Sequence, residues 1–76
     1  MKLTINGNNN EYEECTLSIT QLLSKLELPI DHIAVEVNRS IIPRAHFNDS
    51  MLNEGDVIEI VRFVGGGINL KQNIKG

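Results

Sequence analysis

The run from Val57 to Val64 is apolar at nearly every position and leads straight into Gly65-Gly66-Gly67. A strand of that composition belongs in the centre of a sheet, where both faces are covered. Three successive glycines cannot hold a regular element, because each loses more backbone entropy on ordering than any other residue. The chain is thus a body built around its last long strand, which ends in a thin glycine arm at residues 65–67. Two uses of such an arm stand open. It is a plain linker, or it enters a narrow partner site where any side chain would clash. Residues Ile68 to Gly76 follow, and their polar composition, with Lys71 and Lys75, suits a disordered extension.

Upstream of that strand the periodicity changes several times. Met1 to Asn6 alternates, with Leu3 and Ile5 on one face, as a half-buried strand does. Asn6-Gly7-Asn8-Asn9-Asn10 is a turn, since these residues tolerate positive φ, and Glu11 to Thr16 is predicted as the second strand. Ser18 followed by Gln21 is a capping box, with Leu17 and Leu22 at the staple positions around it. Ile19, Leu22, Leu23 and Leu26 share one face of the helix that follows, about three turns long and stopped by Pro29. From His32 the period is two again: Ile33, Val35 and Val37 point one way. Asn38-Arg39-Ser40 turns the chain into a short strand at Ile41-Ile42, which Pro43 halts. Arg44 to Asn53 has no clear period and is predicted as a loop with one short helical turn. Glu54-Gly55-Asp56 then launches the long strand.

One helix has to cover this whole sheet, which gives a two-layer α+β domain over residues 1–64. A crossover through the helix lets the first and last strands lie side by side and parallel in the centre. That arrangement is the β-grasp, or ubiquitin-like, fold: a mixed four- to five-stranded sheet under one main helix.

Composition narrows the function. Seventy-six residues make one domain, and a chain this short buries only about 60% of its unfolded surface. A formal charge of −3 argues against phosphate-driven nucleic-acid binding and suits a basic protein partner. The single cysteine removes any internal disulfide or cysteine-based zinc cage. No apolar run approaches the roughly 18 residues of a membrane span, and the N-terminus lacks the pattern of a signal peptide. The chain is expected to be cytoplasmic.

Lys2-Leu3-Thr4-Ile5-Asn6-Gly7 opens the chain. Ile33-Ala34-Val35-Glu36-Val37-Asn38 turns into Ile41-Ile42-Pro43-Arg44, and Glu54-Gly55-Asp56-Val57-Ile58-Glu59-Ile60 runs into Val64-Gly65-Gly66-Gly67. Together, over residues 1–67, these segments resemble the ThiS sulfur carriers of thiamine biosynthesis, small β-grasp proteins. The resemblance implies a carrier without catalytic side chains, metal or cofactor. Its reacting group is a C-terminal glycine carboxylate, which falls here on Gly67, with Gly66 beside it. An adenylyltransferase resembling ubiquitin-activating enzyme would form the acyl adenylate. A cysteine desulfurase relay would supply sulfur to give a thiocarboxylate, and thiazole synthase would take that sulfur. Carriers of the family end at the glycine pair, whereas this chain continues with residues 68–76. A glycine inside a peptide bond has no carboxylate to activate, so the extension is removed or this form is not competent. Two alternatives stand beside the thiamine carrier: the small subunit of molybdopterin synthase, and a β-grasp interaction module that carries no sulfur.

Among single residues, Cys15 is read as a small buried hydrophobe rather than a sulfur donor. His32 and His46 lack a second ligand at metal spacing. If Ile58 and Ile60 face the helix, Val61 and Phe63 face outward beside the arm and form a docking patch. Arg44 is either a partner contact or a solvated loop end. The free protein is expected to be a monomer.

Overall fold

The computed structural model describes residues 1–64 and 68–71, with side chains through Phe63. Its strands are Lys2–Ile5 (β1), Asn8–Glu11 (β2), Leu17–Ser18 (β3), Ile33–Val37 (β4), Ser40–Ile42 (β5), Met51–Leu52 (β6), Val57–Val64 (β7) and Ile68–Lys71 (β8). One α-helix, Ile19–Lys25 (α1), and a 3-10 turn at Arg44–His46 complete the described elements. The main sheet runs β2-β1-β7-β4-β5, with β8 joined to β7. β1 and β7 are parallel, while β4 runs antiparallel to β7 from Ile33 opposite Arg62 to Val37 opposite Ile58. This is the α+β, β-grasp arrangement expected from the sequence, with the first and last long strands adjacent in the centre. No helix among the described residues is long and apolar enough to cross a membrane.

The core lies between α1 and the inner face of the sheet. Ile19, Leu22 and Leu23 from the helix meet Leu3, Ile5, Ile33, Val35, Ile58 and Ile60 from the strands, all buried. Each such side chain contributes about 1.5–3 kcal/mol relative to exposure. The predicted capping box is present: Ser18 Oγ accepts from the Gln21 amide at 3.0 Å, and the Ser18 amide donates to Gln21 Oε1 at 2.8 Å. The two remaining donors at the helix start are taken by the long loop. Ile19 N donates to Ser50 O at 3.1 Å and Thr20 N to Phe47 O at 3.2 Å. Leu17 pairs with Leu52 in the small β3-β6 ladder, so the aperiodic segment from Arg44 to Leu52 is fastened to the beginning of α1.

Four details differ from the sequence reading. β2 occupies Asn8–Glu11 rather than Glu11 to Thr16, because Asn6 (φ 48°) and Gly7 (φ 83°) close a two-residue turn and the next asparagines are already strand. Residues 13–15 therefore lie on the connection to the helix, and Cys15 is exposed there instead of buried.

The helix has two turns rather than three. Glu27 takes the left-handed conformation (φ 57°), Glu27 N donates to Ser24 O at 3.0 Å and Leu28 N to Leu23 O at 2.9 Å. That is a Schellman ending, and it stops α1 before Pro29 acts.

The fourth difference is at the C-terminal side. Ile68–Lys71, read from the sequence as part of a disordered extension, form β8 against the end of β7. β7 projects beyond β1, so a following extended segment gains backbone hydrogen bonds on the open edge. The glycine arm at residues 65–67 and residues 72–76 lie outside the described residues.

Glu27 holds a position that glycine fills without strain. Glu27→Gly should raise stability by about 1 kcal/mol, read as a higher urea midpoint at unchanged slope. An unchanged or lower midpoint would mean that the Schellman ending carries no strain.

Candidate functional site

The glycine arm is attached to the C-terminal end of β7, so the surroundings of that end define the site. Along β7, Ile58 and Ile60 are fully buried toward α1, while Val57 and Phe63 are 47% and 38% exposed on the opposite face. Val61 lies on that outer face too, half-buried, opposite Ala34 of β4. The register expected from the sequence holds, and it brings Val61 and Phe63 to one end of the outer face. Arg62 belongs by alternation to the helix side, yet it is exposed, which marks where the core under β7 stops.

Arg44 reaches the same end of the sheet by another route. β5 runs antiparallel to β4, from Ser40 opposite Val37 to Ile42 opposite Val35, so the residues after it arrive at the beginning of β4. There Arg44 Nη1 lies 3.5 Å from Asp31 Oδ1, and both side chains are exposed. The neighbouring His32 accepts through its carbonyl from Phe63 N at 2.7 Å. Arg44, Asp31, His32 and Phe63 thus gather at the end of the sheet where β7 hands on to residues 65–67. Gly66 and Gly67 themselves lie outside the described residues.

The titratable groups with a clear shift sit at the far end, beside the N-terminus of β1. Glu14 Oε2 and Lys25 Nζ are 2.8 Å apart. Their hydrogen bond holds the Glu14 carboxyl below the usual carboxylate range and the Lys25 ammonium above its usual value. Burial pushes the Tyr12 phenol up, and Lys25 stands over its ring at 5.9 Å from the centroid. Among the described residues no three His, Cys, Asp or Glu side chains gather in a metal-holding group. What the described residues show at this end is the close of β7, with Val61 and Phe63 on its outer face and Arg44 against Asp31 just before β4.

Two asparagines, expected from the sequence only as turn residues, bond to β7. Asn6 Nδ2 donates to Ile60 O at 3.2 Å, and Ile60 N donates to Asn6 Oδ1 at 2.8 Å. The side-chain amide therefore acts as one more residue of β1. Asn38 extends the other edge with its side-chain oxygen: Val57 N donates to Asn38 Oδ1 at 2.9 Å, while the Asn38 backbone N donates to Val57 O at 2.7 Å and its Nδ2 to Asp56 Oδ1 at 3.0 Å. Both have positive φ (48° and 51°) at the first position of a tight turn. Nothing in the sequence signals either bridge, because Asn6 and Ile60 are 54 residues apart and Asn38 and Val57 are 19 apart.

Comparison with known proteins gives a consistent result. The model of the ThiS family matches residues 3–67. A sulfur carrier protein ThiS of Bacillus subtilis is 38% identical over 65 residues, covering 86% of this chain and 98% of that protein. A thiazole synthase of Paramagnetospirillum magneticum is 37% identical over 67 residues. That match takes 88% of this chain but 20% of the other, so the chain spans about one fifth of that protein. The crystal structure of a thiamine biosynthesis protein (ThiS) from Geobacter metallireducens has a TM-score of 0.79 at 33% identity, covering 88% of this chain and all of that one.

Replacing Asn6 by alanine removes both bonds to Ile60 and puts a side chain with no local hydrogen bond at positive φ. The expected cost is about 2–4 kcal/mol in urea unfolding. A loss below about half a kcal/mol would show that the amide bridge does not hold β7.

Proposed function

The chain belongs to the ThiS family, and on that premise we propose how it carries sulfur for thiamine biosynthesis: the carboxylate of Gly67 is the reacting group. The observation that carries this reading is that the family's match ends at Gly67, the third glycine after β7. Residues 1–64 are the body, 65–67 the arm, and 68–76 an extension that is removed before the carrier works. The chain is then a substrate protein and not a catalyst, acting in the cytoplasm as a monomer that meets several enzymes in turn.

The chemistry follows from a free carboxylate. An adenylyltransferase brings ATP to the arm, a carboxylate oxygen of Gly67 attacks the α-phosphorus, and pyrophosphate leaves. The product is a mixed anhydride with a good leaving group. A persulfide from a cysteine desulfurase relay attacks the acyl carbon and displaces AMP, and a second thiol then attacks the resulting acyl disulfide, forming a disulfide and releasing the thiocarboxylate. Thiazole synthase accepts that sulfur. The pairing with thiazole synthase is supported by the relative of that name, which holds a segment like this chain within a longer polypeptide. Glycine suits each transfer, because the arm passes into different pockets with no side chain to clash.

Docking is assigned to Val61 and Phe63 on the outer face and to Arg44 beside them. Exposed apolar side chains next to a reacting terminus bury well against a partner, and Arg44 can form a forked hydrogen bond with a carboxylate there.

Pyrophosphate release measures the first step. Residues 1–67 should be adenylated by the cognate activating enzyme, and the full chain should not. Gly67→Ala in the short form should fold normally and react poorly. Equal turnover of the full chain, with its mass intact, would remove the assignment of Gly67. If neither form reacts with any thiamine- or molybdopterin-pathway enzyme, the chain is an interaction module instead.

Phe63→Ala should leave the unfolding midpoint within about 0.5 kcal/mol and weaken binding to the adenylyltransferase about tenfold or more. Unchanged binding with Phe63→Ala and Arg44→Ala combined would move the docking surface elsewhere.

A further inference from the structure

The backbone of β7 turns its peptide groups alternately to its two edges. On the β4 edge, Asn38 N donates to Val57 O and Phe63 N to His32 O. On the β1 edge, Asn6 N donates to Ile58 O at 2.9 Å, and the Asn6 amide takes both the N–H and the carbonyl of Ile60. The same alternation directs the peptide groups of Arg62 and Val64 to the β1 edge, past the point where β1 ends. β8 fills that place, with Leu70 opposite Arg62 and Ile68 opposite Val64 in antiparallel register. These are the hydrogen-bonded pairs of the ladder by parity. Arg62 and Val64 thus form a short slot for an extended backbone, closed at one end by the Asn6 amide.

The family's match stops at Gly67, before β8 begins. Among the described residues, β8 is the segment that covers this slot. The outer face over the slot carries Val61 and Phe63. A strand seated here therefore lies directly alongside those two residues, antiparallel to the strand that leads to the arm.

The geometry points to a strand-addition site at Arg62 and Val64, which β8 occupies in cis. An extended, proline-free segment of a partner protein occupies it once residues 68–76 are gone. Main-chain hydrogen bonds supply the attraction, as in other cases where a peptide extends a sheet edge. The two occupants exclude each other, so the extension is a built-in competitor: it withholds the backbone slot as well as the carboxylate. This rests on the carrier reading only for the event that opens the slot.

Amide hydrogen exchange reads the slot directly. It is to be measured by NMR in the full chain, in residues 1–67, and in the full chain with Leu70→Pro, which lacks the N–H that faces Arg62. The Arg62 and Val64 amides should exchange about tenfold faster in the two altered forms, as loss of one or two net hydrogen bonds implies. The Phe63 amide, bonded to His32, should stay slow in all three and report an intact sheet. A synthetic peptide of residues 68–76, added at millimolar concentration to the short form, should slow Arg62 and Val64 again. The same peptide with proline in place of Leu70 should not. Equal Arg62 rates in the three forms overturn occupation by β8. A peptide that protects neither amide, or protects the β5 edge instead, overturns the strand-addition site. None of these readouts uses ATP or an activating enzyme, so the slot and the Gly67 assignment fail independently.

Discussion

The peptide groups of β7 have to be hydrogen-bonded along its full length, because a strand in the middle of a sheet has little water to fall back on. Meeting that demand shapes much of the rest of the chain. β4 serves one edge from Ile58 to Arg62, with Asn38 added before it and His32 after it. The other edge is covered in pieces: β1 at Val57 and Ile58, the Asn6 amide at Ile60, and β8 from Val61 onward. Both asparagines do two things at one position. Each accepts the positive φ of a tight turn, and each lends side-chain groups to β7: Asn6 takes both peptide groups of Ile60, and Asn38 takes the N–H of Val57. Glycine at either place would keep the turn and lose the bond.

The opposite layer is held by a similar economy. Four donors around the beginning of α1 find partners within a few residues of Ser18 or in the loop from Phe47 to Ser50. Thr16 Oγ1 donates to Leu52 O at 2.7 Å and Thr20 Oγ1 to Asn48 Oδ1 at 2.6 Å, which fasten the same loop. A segment with no periodicity of its own is thereby ordered by the helix it completes. Phe47 and Leu52 drop from it into the core, 2% and 1% exposed.

Elements that bury a regular stripe were legible in the sequence. Leu3 and Ile5, Ile33 and Val35, and Ile58 and Ile60 alternate, and the helix carries its own apolar face, so sheet, helix and central pairing followed. The capping box was legible because two side chains at fixed spacing make it. The end of α1 was not, since Glu27 adopts a conformation that composition does not announce. The start of β2 was misplaced because Asn8, Asn9 and Asn10 look like turn residues, and a two-residue turn leaves them in an edge strand. Cys15 was misjudged with it. At the site, the outward register of Val61 and Phe63 could be read from Ile58 and Ile60. The bridges from Asn6 and Asn38 could not, because they join residues that the sequence keeps far apart.

The placing of β7 also governs when the molecule comes into being. β1 leaves the ribosome first, but its parallel neighbour is more than fifty residues away, Thr4 opposite Val57. Until that late strand is made, β1 and β4 have no common partner and the inner faces of both stay open. The strand that closes the sheet is also the one that leads to the arm. A nascent chain interrupted before Val57 accordingly lacks both the strand that joins β1 to β4 and the glycines that follow it. The central pairing of the sheet is thereby completed by the same few residues that lead into the glycine arm.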